Sequence, residues 1–225
     1  MSTITTSETN ETSLAARETV GVQDSLVSGF VGPRGSGKTL TITYLSMRDM
    51  ANGIPVLANY KIHGPFKKGK QTVTVESKPL DLASLFEMAE QLRQCIVTID
   101  EINLWFESTR WMTNGNRLIS IFLQQIRKRQ ISVYWTSQNF NWVDNRIRWQ
   151  TDTLTHCMDA AKMPQWQETR PKKGEMISLI TKDVSGYLTG MPYDVSGQVF
   201  PGFLDARPVW DCYDTEEIVS PWEAM

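Results

Sequence analysis

Eight consecutive residues near the beginning of the chain combine glycines with a lysine and a threonine in a spacing that suits phosphate binding. They are Gly32, Pro33, Arg34, Gly35, Ser36, Gly37, Lys38 and Thr39, and they fit the pattern G-x-x-x-x-G-K-[ST]. In this pattern the glycines let backbone N–H groups surround a phosphate, and the lysine reaches the β- and γ-phosphates. The threonine hydroxyl can bind Mg²⁺.

The segments on either side of this loop are those that phosphate binding requires. An apolar run from Leu26 to Val31 precedes the loop, and a helix-compatible segment from Leu40 to Met50 follows it. The amino end of that helix adds a positive dipole at the phosphates. We therefore predict that residues 32–40 bind a nucleotide, since an ordinary turn between a strand and a helix leaves Lys38 and Thr39 unexplained.

Two adjacent carboxylates stand at the end of a second apolar run. Asp100 and Glu101 directly follow the residues Ile96, Val97, Thr98 and Ile99. In this arrangement, the Walker B layout, the aspartate can hold Mg²⁺ and the glutamate can activate water for hydrolysis. The alternative is a buried strand with two carboxylates at its exit. The strand and helix that separate this pair from Lys38 favour the functional interpretation.

Polar residues also end a third apolar run, which extends from Ile131 to Trp135 and is followed by Thr136, Ser137 and Gln138. Because α/β sheets bind ligands beyond the carboxyl ends of their strands, we expect all three segments to meet at one edge. We assign Gln138 as a sensor of the γ-phosphate, although such residues can also merely cap a strand. The site then hydrolyses ATP, with Mg²⁺ held by Thr39 and Asp100 and with catalytic roles for Lys38, Glu101 and Gln138.

Strand-like and helix-like segments alternate through most of the chain. Strands are predicted at 26–31, 54–58, 72–75, 96–99, 131–135, 152–158 and 176–181, and helices at 39–50, 81–94 and 114–129. This alternation predicts an α/β fold with a mainly parallel central sheet and helices on both faces. We expect residues 1–24 to form a flexible polar arm, residues 25–160 the ATPase core, and residues 161–225 an extension packed on the core.

The composition limits the classes of partner and compartment. The 225 residues carry a net charge of −2, so any contact with nucleic acid must be local. Basic clusters at residues 67–70 and 170–173 are candidates, although solvated loop charges are an equal alternative. Three scattered cysteines suit reduced thiols inside a cell. We find neither a signal peptide nor a membrane-spanning stretch in the sequence.

The run from Arg127 to Gln138 is similar to a segment of FtsK- and HerA-type DNA translocases, in which a basic helix end leads through an apolar strand to a Thr/Ser-Gln sensor. With the loop at 32–39 and the carboxylates at 100–101, the chain resembles the small genome-packaging ATPases of tailless viruses with internal membranes. It also resembles the ATPase domain of Zot-like proteins of filamentous phages. Residues 57–60 and 213–216 are weaker points of likeness. Zot-like proteins generally carry a membrane span, which we do not find in this sequence, so we favour the genome-packaging ATPases.

The resemblance implies a RecA-like core of the additional-strand, catalytic-glutamate type. It further implies a ring of subunits, often six, with ATP between neighbours and double-stranded DNA through the centre. An arginine from the next subunit would complete the site, and we favour Arg146 or Arg148 over Arg127 and Arg129. The partners would be capsid or packaging-vertex proteins, with a viral membrane nearby, in the host cytoplasm or at the virion vertex.

Three other functions compete with an ATP-driven packaging translocase. One is a filamentous-phage extrusion ATPase that acts on single-stranded DNA. Another is a P-loop kinase of a small metabolite, which would need an arginine-rich lid and an acceptor pocket that the sequence does not reveal. The last is a binding module in which the nucleotide only supports an assembly surface, and Glu101 argues against it.

Overall fold

The computed structural model of the protein describes residues 25–80, 92–104, 122, 124–166, 171–185 and 199–214. The predicted arm at 1–24, most of the predicted helix at 81–94 and the predicted helix start at Asn114 lie outside these ranges. Ten strands lie inside them: β1 Val27–Val31, β2 Val56–Ala58, β3 His63–Lys68, β4 Gln71–Glu76, β5 Lys78–Pro79, β6 Ile96–Ile99, β7 Ser132–Ser137, β8 Thr153–Asp159, β9 Met176–Asp183 and β10 Val199–Asp205.

Eight of these strands form one sheet in the order β10-β9-β8-β1-β7-β6-β2-β5. Neighbours from β8 to β5 run parallel, whereas β9 and β10 are antiparallel additions at one edge. Strand β7 lies between β1 and β6, so one strand separates the phosphate loop from the carboxylate pair. All residues of β1, β2 and β6 are buried, as expected for parallel strands covered on both faces. The prediction of a mainly parallel α/β sheet is therefore confirmed.

Helical segments cover both faces of the sheet. Helix α1 (Lys38–Ala51) buries Ile42 and Met47 in a core cluster that also contains Phe30 of β1. A second cluster contains Val27 and Val31, which point to the other face of β1, together with Ile147 of helix α2 (Asn145–Gln150). Residues 102–104 and 124–129 are also helical, and short 3-10 turns occur at Phe140–Trp142, Ala160–Lys162, Pro164–Trp166 and Arg207–Val209.

Some local predictions from the sequence are wrong. Strand β3 was not predicted; it pairs with β4 in a separate hairpin and buries Phe66. Strand β10 was not predicted either; it is an edge strand, and Pro201 is tolerated there because an edge strand has no partner on its outer side. Residues 92–94 are not helical, and Gln94 has a φ of 50°. None of the helices in the described ranges is long and apolar enough to cross a membrane.

Candidate active site

The glycine-rich loop connects β1 to α1 and leaves the amino end of α1 open. Gly37 is the N-cap of α1, with a φ of 88° and no side-chain hydrogen bond to the helix. The first N–H groups of the helix therefore remain available to an anion. A Cβ at Gly37 would also lie 2.3 Å from Cδ1 of Ile177 in β9, so both its backbone conformation and its packing require glycine.

Lys38 is folded back over the loop. Its side chain is buried, and its Nζ donates hydrogen bonds to the carbonyl oxygens of Gly32 at 3.0 Å and Pro33 at 3.2 Å. Ser36 closes the same turn by donating its N–H to Pro33 O at 3.2 Å. The ammonium group is therefore held inside the loop, where a bound phosphate could replace the two carbonyls as its acceptor.

Thr39 and Asp100 come together at the carboxyl edge of the sheet. Thr39 Oγ1 donates to both carboxylate oxygens of Asp100, each at 3.2 Å. Burial raises the pKa of the Asp100 carboxyl, while hydrogen bonds from Thr136 and Thr39 oppose that shift. A hydroxyl and one carboxylate are oxygen ligands of the kind that Mg²⁺ uses beside substrate phosphates, so the donor set fits this ion.

Thr136 joins the two carboxylate residues to the central strand β7. Its hydroxyl donates to Asp100 Oδ1 at 2.5 Å and accepts the backbone N–H of Glu101 at 2.9 Å. Glu101 has a φ of 48°, which is uncommon for a residue with a side chain and costs roughly 1–3 kcal/mol. The hydrogen bond from its own N–H helps to hold this conformation at the site.

Asn59 fixes the backbone of Asp100 from the other side. Its Nδ2 donates to Asp100 O at 3.0 Å, and its Oδ1 accepts the Asp100 N–H at 2.8 Å. In the sequence, Asn59 stands out only as part of a weak resemblance at residues 57–60. Its position directly after β2, at the same edge as Asp100, was the available signal.

The structure does not bring all of the predicted residues into contact. Gln138 is half-buried and follows β7 two residues after Thr136, and it is Thr136 that contacts Asp100 and Glu101. Its sensor role therefore remains a prediction.

The two favoured arginines belong to α2. Arg146 pairs with Asp144 at 3.4 Å, while Arg148 donates to Asn141 and lies 5.6 Å from the ring centre of Phe140. Arg148 also donates to Asn145 of the same helix, so these contacts lie between residues 140 and 145. Whether a neighbouring subunit receives either arginine therefore remains a prediction.

The two other arginines that were considered have partners within the chain. Arg127 forms an ion pair with Asp152 at 2.6 Å, and the second Asp152 oxygen accepts the N–H of Val27 at 2.9 Å. Arg129 donates to Gln125. Asp152 precedes β8 and Val27 begins β1, so the ion pair braces the amino side of these two strands.

Comparisons with known proteins support the fold. A model described as the ATPase family associated with various cellular activities (AAA) matches residues 29–156, which include the loop, the carboxylate pair and β7. The chain is similar to the N-terminal domain of zonular occludens toxin from Neisseria meningitidis, with 15% identity over 84% of this chain and 99% of that chain and a TM-score of 0.50. It is also similar to the genome packaging NTPase B204 from Sulfolobus turreted icosahedral virus 2 in complex with AMPPCP. The identity is 13%, the coverage is 81% of this chain and 100% of that chain, and the TM-score is 0.49. No curated protein matches the chain.

These structures belong to the two groups that the sequence resemblance named. At such identities the likeness to the toxin domain shows the fold alone. The fold is that of RecA-like P-loop NTPases, as the sequence resemblance implied, and the site described above lies at the carboxyl ends of its parallel strands.

Proposed function

We propose that this protein uses ATP hydrolysis to package viral double-stranded DNA into a preformed capsid as a ring-shaped oligomer. The chain belongs to the ATPase family associated with various cellular activities (AAA) and is an ATPase. The observation that carries the proposal is the hydroxyl of Thr136, which bonds to Asp100 and to the backbone of Glu101. Thr136 is the next-to-last residue of β7 and lies in the segment 127–138 that resembles DNA translocases. A residue that contacts both carboxylate residues can couple hydrolysis to movement of β7 and the chain around it.

In this proposal the phosphate loop, Lys38, Thr39 and Asp100 bind the nucleotide. The N–H groups of residues 35–38 hold the phosphates, and Lys38 exchanges its carbonyl acceptors for phosphate oxygens. Thr39 and Asp100 would hold Mg²⁺, which would supply positive charge against the phosphate oxygens. Asn59 keeps the backbone of Asp100 in place for this task.

Hydrolysis requires a base, a sensor and a further cation. Glu101 accepts a proton from the attacking water, and Gln138 contacts the γ-phosphate and reports its loss. Arg146 or Arg148 of a neighbouring subunit stabilises the charge on the transferring phosphoryl group. ATP then lies between subunits, most simply in a ring of six, whose partners are capsid or vertex proteins.

In this proposal the β3–β4 hairpin is the surface that contacts DNA. Lys67, Lys68 and Lys70 are exposed around its turn, and Gly69 takes a φ of 60° there. Lysines of this kind bind backbone phosphates without reading sequence, and such binding weakens as salt is raised. A packaging motor must contact every sequence of its genome equally, so this kind of contact suits it.

The proposal is tested by measuring steady-state ATP turnover with and without duplex DNA at two salt concentrations. We expect duplex DNA to raise turnover at low salt, and we expect Glu101→Gln to abolish turnover in both conditions. The double change Lys67→Ala and Lys70→Ala should weaken duplex binding and flatten its salt dependence, whereas Lys182→Ala on β9 should leave both unchanged. A protein that hydrolyses ATP but neither binds duplex DNA nor responds to it would overturn the packaging function.

A second candidate is a Zot-like assembly ATPase acting on single-stranded DNA of a filamentous phage. The likeness to 99% of the toxin N-terminal domain at a TM-score of 0.50 favours it. The same turnover assay separates the candidates. Stimulation by single-stranded DNA and not by duplex DNA supports the assembly ATPase and contradicts packaging.

A further inference from the structure

Four consecutive carbonyl groups of the phosphate loop accept hydrogen bonds from two lysines. Lys38 bonds to the carbonyls of residues 32 and 33, as described above. Lys162, from the 3-10 turn after β8, donates from its Nζ to Arg34 O at 3.3 Å and to Gly35 O at 2.9 Å. Lys162 therefore bonds to the outer half of the loop as Lys38 bonds to the inner half.

A third lysine, Lys173, lies beside Gly35 of the loop. If Gly35 carried a Cβ, that atom would lie 3.4 Å from Lys162 Nζ and 4.0 Å from Lys173 Cε. In the described part of the chain neither lysine forms an ion pair with a carboxylate. Positive charges gathered at the amino end of a helix repel one another, and a bound anion relieves that repulsion.

One buried carboxylate holds both lysine-bearing turns. Asp159 is the last residue of β8 and is 1% exposed. Its Oδ1 accepts the N–H of Ala161 at 3.0 Å, and its Oδ2 accepts the N–H of Gly174 at 3.1 Å. Since Ala161 adjoins Lys162 and Gly174 adjoins Lys173, this carboxylate fixes the two turns relative to each other and to the end of β8.

We propose that Lys162, with Lys173 beside it, binds the β- and γ-phosphates of the nucleotide from the outer side of the loop. The ammonium group of Lys162 bonds to neutral carbonyls in this structure. A charged phosphate oxygen is a stronger acceptor, so the lysine turns from the carbonyls to the phosphates when a nucleotide is present. The site then gains cations from its own chain in addition to any arginine of a neighbour. This role concerns nucleotide binding and does not depend on the DNA substrate.

The test compares substitutions that separate the charge of Lys162 from its hydrogen bonds to the loop. Lys162→Gln keeps an N–H donor for the carbonyls and removes the charge, whereas Lys162→Arg keeps the charge. The dissociation constants of ATP, ADP and AMP are measured by calorimetry, with thermal unfolding as a check of the fold. Lys182→Gln, a change of an exposed lysine on β9, is the matched control.

We expect Lys162→Gln to weaken ATP and ADP binding about tenfold and to change AMP binding by less than about twofold, since AMP lacks the β- and γ-phosphates. Lys162→Arg and the control should bind all three nucleotides as the unchanged protein does. The salt dependence of ATP binding should become shallower in Lys162→Gln.

Unchanged ATP binding in Lys162→Gln overturns the proposal. Equal weakening of ATP, ADP and AMP in both the Gln and the Arg variants also overturns it, because that result assigns Lys162 to bracing the loop. If Lys162→Gln does not fold, Lys173→Gln supplies the test. This lysine has no hydrogen bond to the loop in the structure, and its change should still weaken ATP more than AMP.

Discussion

Replacing Gly29 by alanine should destabilise the protein because the new methyl group would overlap the indole of Trp135. The two residues face each other in the pairing of β1 with β7. A Cβ at Gly29 would lie 2.2 Å from Cζ2 and 2.5 Å from Cη2 of Trp135, well inside contact distance. The indole is fully buried and stacks on Phe140 with ring centres 6.2 Å apart, so it has little room to move.

The size of the effect follows from this overlap. Extra atoms in a packed core usually cost about 1–3 kcal/mol, and the enclosed indole favours the upper part of that range. We therefore expect Gly29→Ala to lower the free energy of unfolding by about 2–3 kcal/mol in urea titrations followed by circular dichroism. In the Trp135→Leu background, where the overlapping ring atoms are absent, the same change should cost less than about 1 kcal/mol, so the two changes are coupled.

Gly202→Ala on β10 is the matched control, since a Cβ there would have no neighbour within 4 Å. We expect it to change the free energy of unfolding by no more than about 0.5 kcal/mol. The steric reasoning fails if Gly29→Ala is as mild as the control. It also fails if Gly29→Ala costs as much in the Trp135→Leu background as in the unchanged protein.

Three further predictions follow from hydrogen bonds and burial. Thr136→Val keeps the shape of the side chain but removes its hydroxyl, so ATP turnover should fall at least about tenfold while the dissociation constant of ATP changes less than about threefold; equal turnover contradicts this role. Asp152→Ala leaves the buried N–H of Val27 without an acceptor and should lower the free energy of unfolding by about 2–4 kcal/mol. Arg127→Ala, at the exposed end of the same ion pair, should lower it by less than about 1 kcal/mol. The reverse order in urea titrations contradicts this prediction. Burial raises the pKa of Cys95 to about 11 and of Cys157 to about 12, so both thiols should resist iodoacetamide at pH 8 until urea unfolds the protein, and rapid labelling of the native protein contradicts it.

The parts of the site that lie on single short segments could be predicted from the sequence. The glycine pattern, Lys38 and Thr39 form one local motif, and Asp100 follows an apolar run that is typical of a buried strand. The parallel direction of most strands could also be expected, because alternating strands and helices favour parallel pairing. Such features need no knowledge of which distant residues become neighbours.

Contacts that depend on strand register could not be predicted in the same way. Pairing of β6 with β7 aligns Ile99 with Trp135, and the next residue on β7, Thr136, therefore lies beside Asp100. From the sequence alone, Gln138 is an equally good polar candidate at this strand end. Strands β3 and β10 could not be predicted for a related reason. Each is stabilised mainly by its antiparallel partner, and the lysines of β3 and the proline of β10 disfavour a strand locally.

The position of Lys162 at the outer side of the loop depends on the register of β8 and also on the length of that strand. Pairing of β1 with β8 aligns Val31, the last residue of β1, with His156. Strand β8 continues through Asp159, which at about 3.3 Å per residue carries the chain roughly 10 Å beyond the end of β1, alongside the loop. Asp159 then caps the turn that returns Lys162 to Arg34 and Gly35. A strand shorter by two residues would reverse no side chain of the sheet but would end at Cys157, beside Gly32 at the beginning of the loop. The length of β8 therefore decides whether this chain can bring Lys162 to Arg34 and Gly35.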